Sequence, residues 1–133
     1  MPGTLASDKL AAELNDGTAI TSATTTTGSA VQVDYPLDCE VEAVTGTMTG
    51  AGFADIEIQA CDASNFGSGV VVLGRFGQLT EADDGETKRL NVYCAKKYMR
   101  AVVVTTGTPT SYPITITVRP CNYKRTPTTT AGA

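Results

Sequence analysis

Residues 96–120, KKYMRAVVVTTGTPTSYPITITVRP, decide the fold class of this chain. Val102, Val103 and Val104 make the first arm dense in β-branched side chains. In the second arm Tyr112, Ile114, Ile116 and Val118 alternate with Ser111, Thr115 and Thr117. A period of two is that of a strand with one buried face. The turn-forming Gly107–Pro109 segment between the arms predicts a hairpin of two strands back to back.

The same pattern recurs outward from this stretch. In FADIEIQAC (53–61), Ala54, Ile56, Ile58 and Ala60 share one face while Asp55, Glu57 and Gln59 share the other. In DCEVEAVTGTM (38–48), Val41 and Ala43 alternate with Glu40 and Glu42 until Val44 interrupts, as at a bulge. TGAG at 49–52 reads as the turn between these two strands. AVQVDY (30–35) is a further strand, and GVVVLGRFG (69–77), apolar on both faces, reads as an interior one. DASNFGSG (62–69) is a polar turn, EADDGET (81–87) an acidic loop, and in KRLNVYC (88–94) Leu90 and Val92 point inward. About seven or eight short strands at this spacing predict an all-β fold, a two-sheet β-sandwich or jelly roll, with a small barrel as runner-up. A second sheet about 10 Å away gives each apolar face its burial.

At the N-terminus, LASDKLAAEL (5–14) places Leu10 and Leu14 four apart, with Ser7 or Asp8 to cap and Gly17 to stop. The reading is a short helix or arm that needs a surface to dock on. The chain thus divides into an N-terminal arm (1–18), a β-sandwich domain (19–120) and an extended C-terminal tail (121–133). The threonine runs at 24–27 and 128–130 favour extended backbone.

Composition excludes several classes of function. The chain has 133 residues, enough for one core, and 10 Lys+Arg against 14 Asp+Glu give a charge of −4. That balance argues against direct nucleic-acid binding. No apolar run reaches the roughly 18 residues of a membrane span, so no membrane partner is expected. MPGTLASDKLAAELNDG lacks a basic start followed by an apolar core, so no secretory leader is expected either. With no histidine, imidazole-based serine or cysteine catalysis and histidine zinc sites cannot be assembled from the chain, and without tryptophan a Trp glycan platform is absent.

The remaining chemistry-bearing residues read as structural. Glu81, Asp83, Asp84 and Glu86 lack EF-hand spacing and predict a solvated loop. Glu40, Glu42, Asp55 and Glu57 alternate outward from strands expected to pair, on a flat face with no cleft for glycoside hydrolysis. Cys39, Cys61, Cys94 and Cys121 show no CxxC spacing. Free buried thiols lead, and disulfides 39–61 and 94–121 across two expected hairpins are the alternative. No enzyme activity, catalytic residue, cofactor or metal is expected. Lys96, Lys97 and Arg100 form a basic patch around Tyr98, joined by Lys124 and Arg125. Such cations either discourage strand addition or meet an acidic partner. Leu5, Leu10 and Leu14 in the arm and Tyr123, Lys124 and Arg125 in the tail complete the candidate partner contacts.

Gly28–Tyr35, EAVTGTMTGAGFADIEIQACDAS (42–64) and KKYMRAVVVTTGTPTSYPITITVRP together resemble small bacteriophage virion proteins, several of them capsid decoration (cement) proteins. Gln59, Phe66, Tyr98, Arg100, Ala101, Val102 and Gly107 carry the match, and Cys61 and Cys94 depart from it. The resemblance implies a β-sandwich or jelly-roll body on the outer surface of a capsid, assembled in the bacterial cytoplasm. Its partners would be the major capsid protein and copies of itself, as dimer or trimer, and its task bridging coat subunits. The alternative is a tail or baseplate β-domain that recognises a protein or a host-surface glycan.

Overall fold

The alternating segments fold into nine strands among the described residues: β1 (Thr4–Leu5), β2 (Ala12–Ile20), β3 (Thr25–Thr27), β4 (Val31–Val33), β5 (Leu37–Thr45), β6 (Thr49–Cys61), β7 (Val71–Leu79), β8 (Thr87–Cys94) and β9 (Tyr98–Pro120). A single 3-10 turn, Glu81–Asp83, separates β7 from β8. The structure, a computed structural model, describes residues 12–121 and the backbone of residues 4–5.

The all-β expectation holds, but the hairpin that suggested it does not exist. Tyr98–Pro120 is one strand of 23 residues, continuous through Gly107–Pro109. Its first half pairs with β6 on one side, Tyr98 opposite Cys61 through Ser111 opposite Thr49. Its second half pairs on that side with β5, from Ile114 opposite Thr45 to Pro120 opposite Cys39. On its other side β2, β3 and β4 follow one another, all antiparallel to it. β8 lines the outer side of β5 and β7 the outer side of β6. The protein is therefore one sheet of four long tracks, in the order 12–33, 98–120, 37–61 and 71–94, folded over at the middle of every track.

Folding the sheet makes two facing layers, one containing β2, β5, β8 and the end of β9, the other β3, β4, β6, β7 and its beginning, and so satisfies the two-layer expectation. Val41, Ile114, Ile116 and Val118 from one layer and Ile56, Ile58, Met99 and Val103 from the other form a single core, each at most 1% exposed. The inward faces of 54–60 and 112–118 are as the alternation predicted. Val44 does not interrupt its strand: it points out, and Thr45 resumes the inward set at 2% exposure.

The bends are where reading from turn formers failed. Thr49–Gly52, expected as a turn, lies inside β6, and the bend is Gly46–Met48. At Gly107 the strand carries a left-handed φ of 89°, and an added Cβ would meet Gly52 Cα at 2.8 Å. Glycine there lets β9 and β6 press backbone to backbone as they turn together. Gly28 serves a different approach: a Cβ would fall 1.7 Å from the Leu14 carbonyl oxygen, where the two layers meet at the edge of the first track.

Two other expectations are corrected. GVVVLGRFG is an edge strand, not an interior one, because β7 pairs with β6 alone, and Val70, Val71 and Val72 are 38–42% exposed. The segment read as a short N-terminal helix is extended wherever it is described: Leu5 lies in β1, paired parallel to β4, and Ala12–Leu14 begin β2. Leu10 lies outside the described residues. The β body consequently starts at Ala12 rather than 19, held by register with Val118 and Thr117 that a helix would lose. Tertiary pairing overrides a helical propensity of only two or three turns.

Candidate functional site

Folding every track in half gives the molecule a bent end and an open end. At the bent end a set of hydrogen bonds ties one track to the next. Thr45, 2% exposed, accepts from Glu86 N–H (2.9 Å) and donates to Asp83 O. Thr105, 3% exposed, accepts from Thr24 N–H (3.0 Å) and donates to Ser22 O (2.7 Å). Gly46 N–H donates to Pro113 O (2.9 Å) and Gly85 N–H to Gly46 O (3.1 Å). The acidic loop is therefore a structural bend rather than merely a solvated one: Asp83 accepts from Thr80 N–H (2.8 Å) and Asp84 accepts from Met48 N–H. Among the described residues no group of three or more acids or cysteines is placed to hold a metal.

At the open end the links 34–36, 62–70 and 95–97 pass between tracks, and the described body begins at Ala12 and ends at Cys121. Cys121 N–H donates to Asp38 O (2.7 Å), and β1 pairs with Gln32 and Val33, so the parts of the chain that enter and leave the body do so here. Lys96 and Lys97 sit at the same end on Asp62: Lys96 Nζ is 3.6 Å from Oδ2, and Lys97 N–H donates to Oδ1 (3.1 Å). Of the expected partner contacts, the fold thus gathers Leu5, Lys96 and Lys97, with Arg100 three residues further along β9. It removes Leu14, which is 1% exposed in the protein's own core. Tyr123, Lys124 and Arg125 lie outside the described residues.

Arg100 belongs to a row of side chains on the outer face that crosses three strands. Its Nε–H donates to Gln59 Oε1 (2.9 Å), Gln59 Nε2 donates to Glu57 Oε1 (2.7 Å), and Arg75 Nη2 donates to Glu57 Oε2 (2.6 Å). The guanidinium carbon lies 4.1 Å from the centre of the Phe66 ring, a cation–π contact. Phe66 is 7% exposed and takes a left-handed φ of 53°, which turns the 62–69 loop back over the sheet. That loop also buries Cys61, an outward residue by alternation whose Sγ lies 3.1 Å from Ser68 O. Arg100 was legible as a cation, but its supports come from residues 34 and 41 positions away and left no local mark.

The paired-carboxylate expectation dissolves with the topology. β5 and β6 do not pair with each other, so Glu40 and Glu42 lie on the outside of one layer and Asp55 and Glu57 on the outside of the other. Arginines engage three of them: Arg119 on Glu40 (Nε to Oε1, 2.9 Å), Arg89 on Glu42 (3.0 Å) and Arg75 on Glu57. The cysteines are four free thiols. The spacing argument for disulfides fails because neither supposed hairpin exists, and Cys39 and Cys61 lie in different layers. Burial pushes the Cys39 thiol up to about 12 and raises Cys94 as well, so both are protonated and unreactive at neutral pH.

A groove runs along the edge of the first track, two adjoining depressions of about 290 and 260 Å³ that share Asn15, Asp16, Thr18 and Thr26. Asp16 Oδ1 accepts from Thr18 N–H (2.9 Å), which holds its carboxyl below the ordinary value. Among the described residues no aromatic side chain lines the groove. Tyr112 is fully buried with Oη 3.0 Å from the Gly50 and Gly52 carbonyls, Phe76 packs against the core, and Phe66 is taken up by Arg100. No protein-family model matches this chain, and no curated protein matches it.

Proposed function

We propose that this protein is a structural component of a phage virion that sits on the outside of the capsid and stabilises it by bridging coat subunits. The observation that carries the reading is the open end, where Lys96 and Lys97 lie beside the points at which the chain enters and leaves a body closed by its own core. A protein that clamps neighbouring subunits needs a self-sufficient body plus contacts that reach more than one site, because linked contacts raise effective affinity. Gln59, Phe66 and Arg100, three residues of the resemblance, also meet in space, which supports treating them as one motif.

The test is reconstitution on coat-protein shells with variants lacking residues 1–11 or 122–133. A deletion as far as residue 17 would remove Leu14 from the core and test folding instead. The expected result is lower occupancy and a lower shell melting temperature. Full occupancy with unchanged shell stability for both deletions overturns the reading. A tail or baseplate β-domain that recognises a host glycan draws on one observation, the Asn15–Asp16–Thr26 groove of amide, carboxylate and hydroxyl groups. Glycan-array binding lost on Asp16→Ala, together with no binding to shells, favours it.

A further inference from the structure

We infer that the outer face around Arg100, Val102 and Val104 is a docking site for a protein partner that presents a carboxylate beside an aliphatic side chain. The inference builds on the partner-contact reading above and narrows it to one cluster and one partner chemistry.

Arg100 and Lys97 are the two cations among the described residues with no carboxylate within 4.0 Å; Arg75, Lys88, Arg89, Lys96 and Arg119 each have one. Arg100 is held more closely than Lys97, whose Nζ lies 6.0 Å from the centre of the Tyr98 ring. Gln59 fixes its Nε–H and the Phe66 ring backs its plane. Glu57, linked to it through Gln59, spends one oxygen on Arg75 and the other on Gln59. Half-buried Arg100 has no hydrogen bond from either Nη group to another described residue, and a guanidinium held in plane with both Nη groups unspent suits bidentate binding of a carboxylate with little further loss of side-chain freedom.

Two residues further along β9 the same face is indented, in a depression that Val102 and Val104 line and Arg100 does not. Arg100, Val102 and Val104 follow at every second position on the outward face of β9. Val104 is 40% exposed, and with Val102, which is only 9% exposed, it lines a depression of about 140 Å³ bounded by Asp55, Glu57, Arg75 and Gly77. This strand is central, paired on both sides at Val104, so a partner meets its side chains face-on and not by adding a strand to its edge. Charge selects the occupant: the unneutralised guanidinium calls for an anion, and the depression at Val102 and Val104, further along the same face, for a branched aliphatic group.

The experiment titrates the full-length protein, labelled at arginine Nε, with the peptide acetyl-Gly-Glu-Val-Leu-Gly-amide and with its Gln counterpart. The expected result is a saturating shift of the Arg100 Nε–H resonance with the Glu peptide and at least fivefold weaker binding of the Gln peptide. Arg100→Gln should abolish binding, Val104→Thr should weaken it severalfold, and Arg89→Gln, on the other layer, should leave it unchanged. Val104 is exposed, so that variant tests the site even if Arg100→Gln perturbs the fold. Equal binding of the two peptides, or no shift with either, overturns the inference. Because the arm deletions leave this cluster intact, their failure on shells and failure here are separate outcomes.

Discussion

Thr45 and Thr105 are two hydroxyl residues in a core otherwise built mainly of aliphatic side chains, and both sit where the sheet folds over. Each hydroxyl accepts from a backbone N–H on a neighbouring track in a part-buried hydrogen bond, and replacing it by the near-isosteric valine removes that partner. Thr45→Val and Thr105→Val should each lower unfolding free energy by about 0.5–1.5 kcal/mol in urea denaturation. Ile58→Ala, a truncation at the centre of the core, should cost about 2–5 kcal/mol by the same measurement. The thiols give a pH-dependent test. The folded protein keeps a proton on Cys39 up to about 12, above the ordinary value of 9.0, so between those values the native state binds more protons than the unfolded one. Stability is therefore undiminished by this group below pH 9 and falls as pH rises toward 12. Urea midpoints above pH 9 should decline less steeply in Cys39→Ala than in the parent. Alkylation of the denatured, unreduced protein should modify all four cysteines, and in the native state half-exposed Cys121 should react first. The inward place of Ile58 and the free thiols were legible locally, but the roles of the two threonines were not, since the partners of Thr45 lie some 40 residues away.

At the scale of elements, β9 and the β5–β6 track bend together, and the bend depends on backbone that only glycine adopts easily. Gly107→Val adds a branched side chain at a left-handed φ and 2.8 Å from Gly52 Cα, so it should destabilise by more than about 1 kcal/mol and shift amide resonances along the contact between β6 and β9. A hairpin turn at 107–110 would tolerate valine at some turn positions, and a neutral substitution would argue against the continuous strand. The sequence signal here was ambiguous for a physical reason. Gly, Thr and Pro mark both a chain reversal and a bulged crossing between layers, and local composition does not distinguish them. The Val70–Val72 run shows the same limit: an apolar stretch reads as interior, but this one ends on the edge of the sheet. The clean alternations in 54–60 and 112–118 were read correctly because a period of two fixes the buried face whichever strand lies next to it.

For the whole molecule, one folded sheet puts its bends at one end and its entry and exit points at the other. The described core is drawn from residues 14–118, between the two ends of the described body. The sequence by itself determined the all-β class, the inward set of the long strands and the exclusion of imidazole chemistry, because side-chain period and residue type are local properties. It also marked Lys96, Lys97 and Arg100 as unusual for an acidic chain. Only the tertiary structure decided that 98–120 is one strand, that Leu14 belongs to the core, that the outward carboxylates fall on opposite faces, and that Gln59 and Phe66 hold Arg100. Those outcomes depend on which distant tracks lie side by side, and pairing across 40 to 100 residues is set by the joint burial of both layers rather than by any one segment.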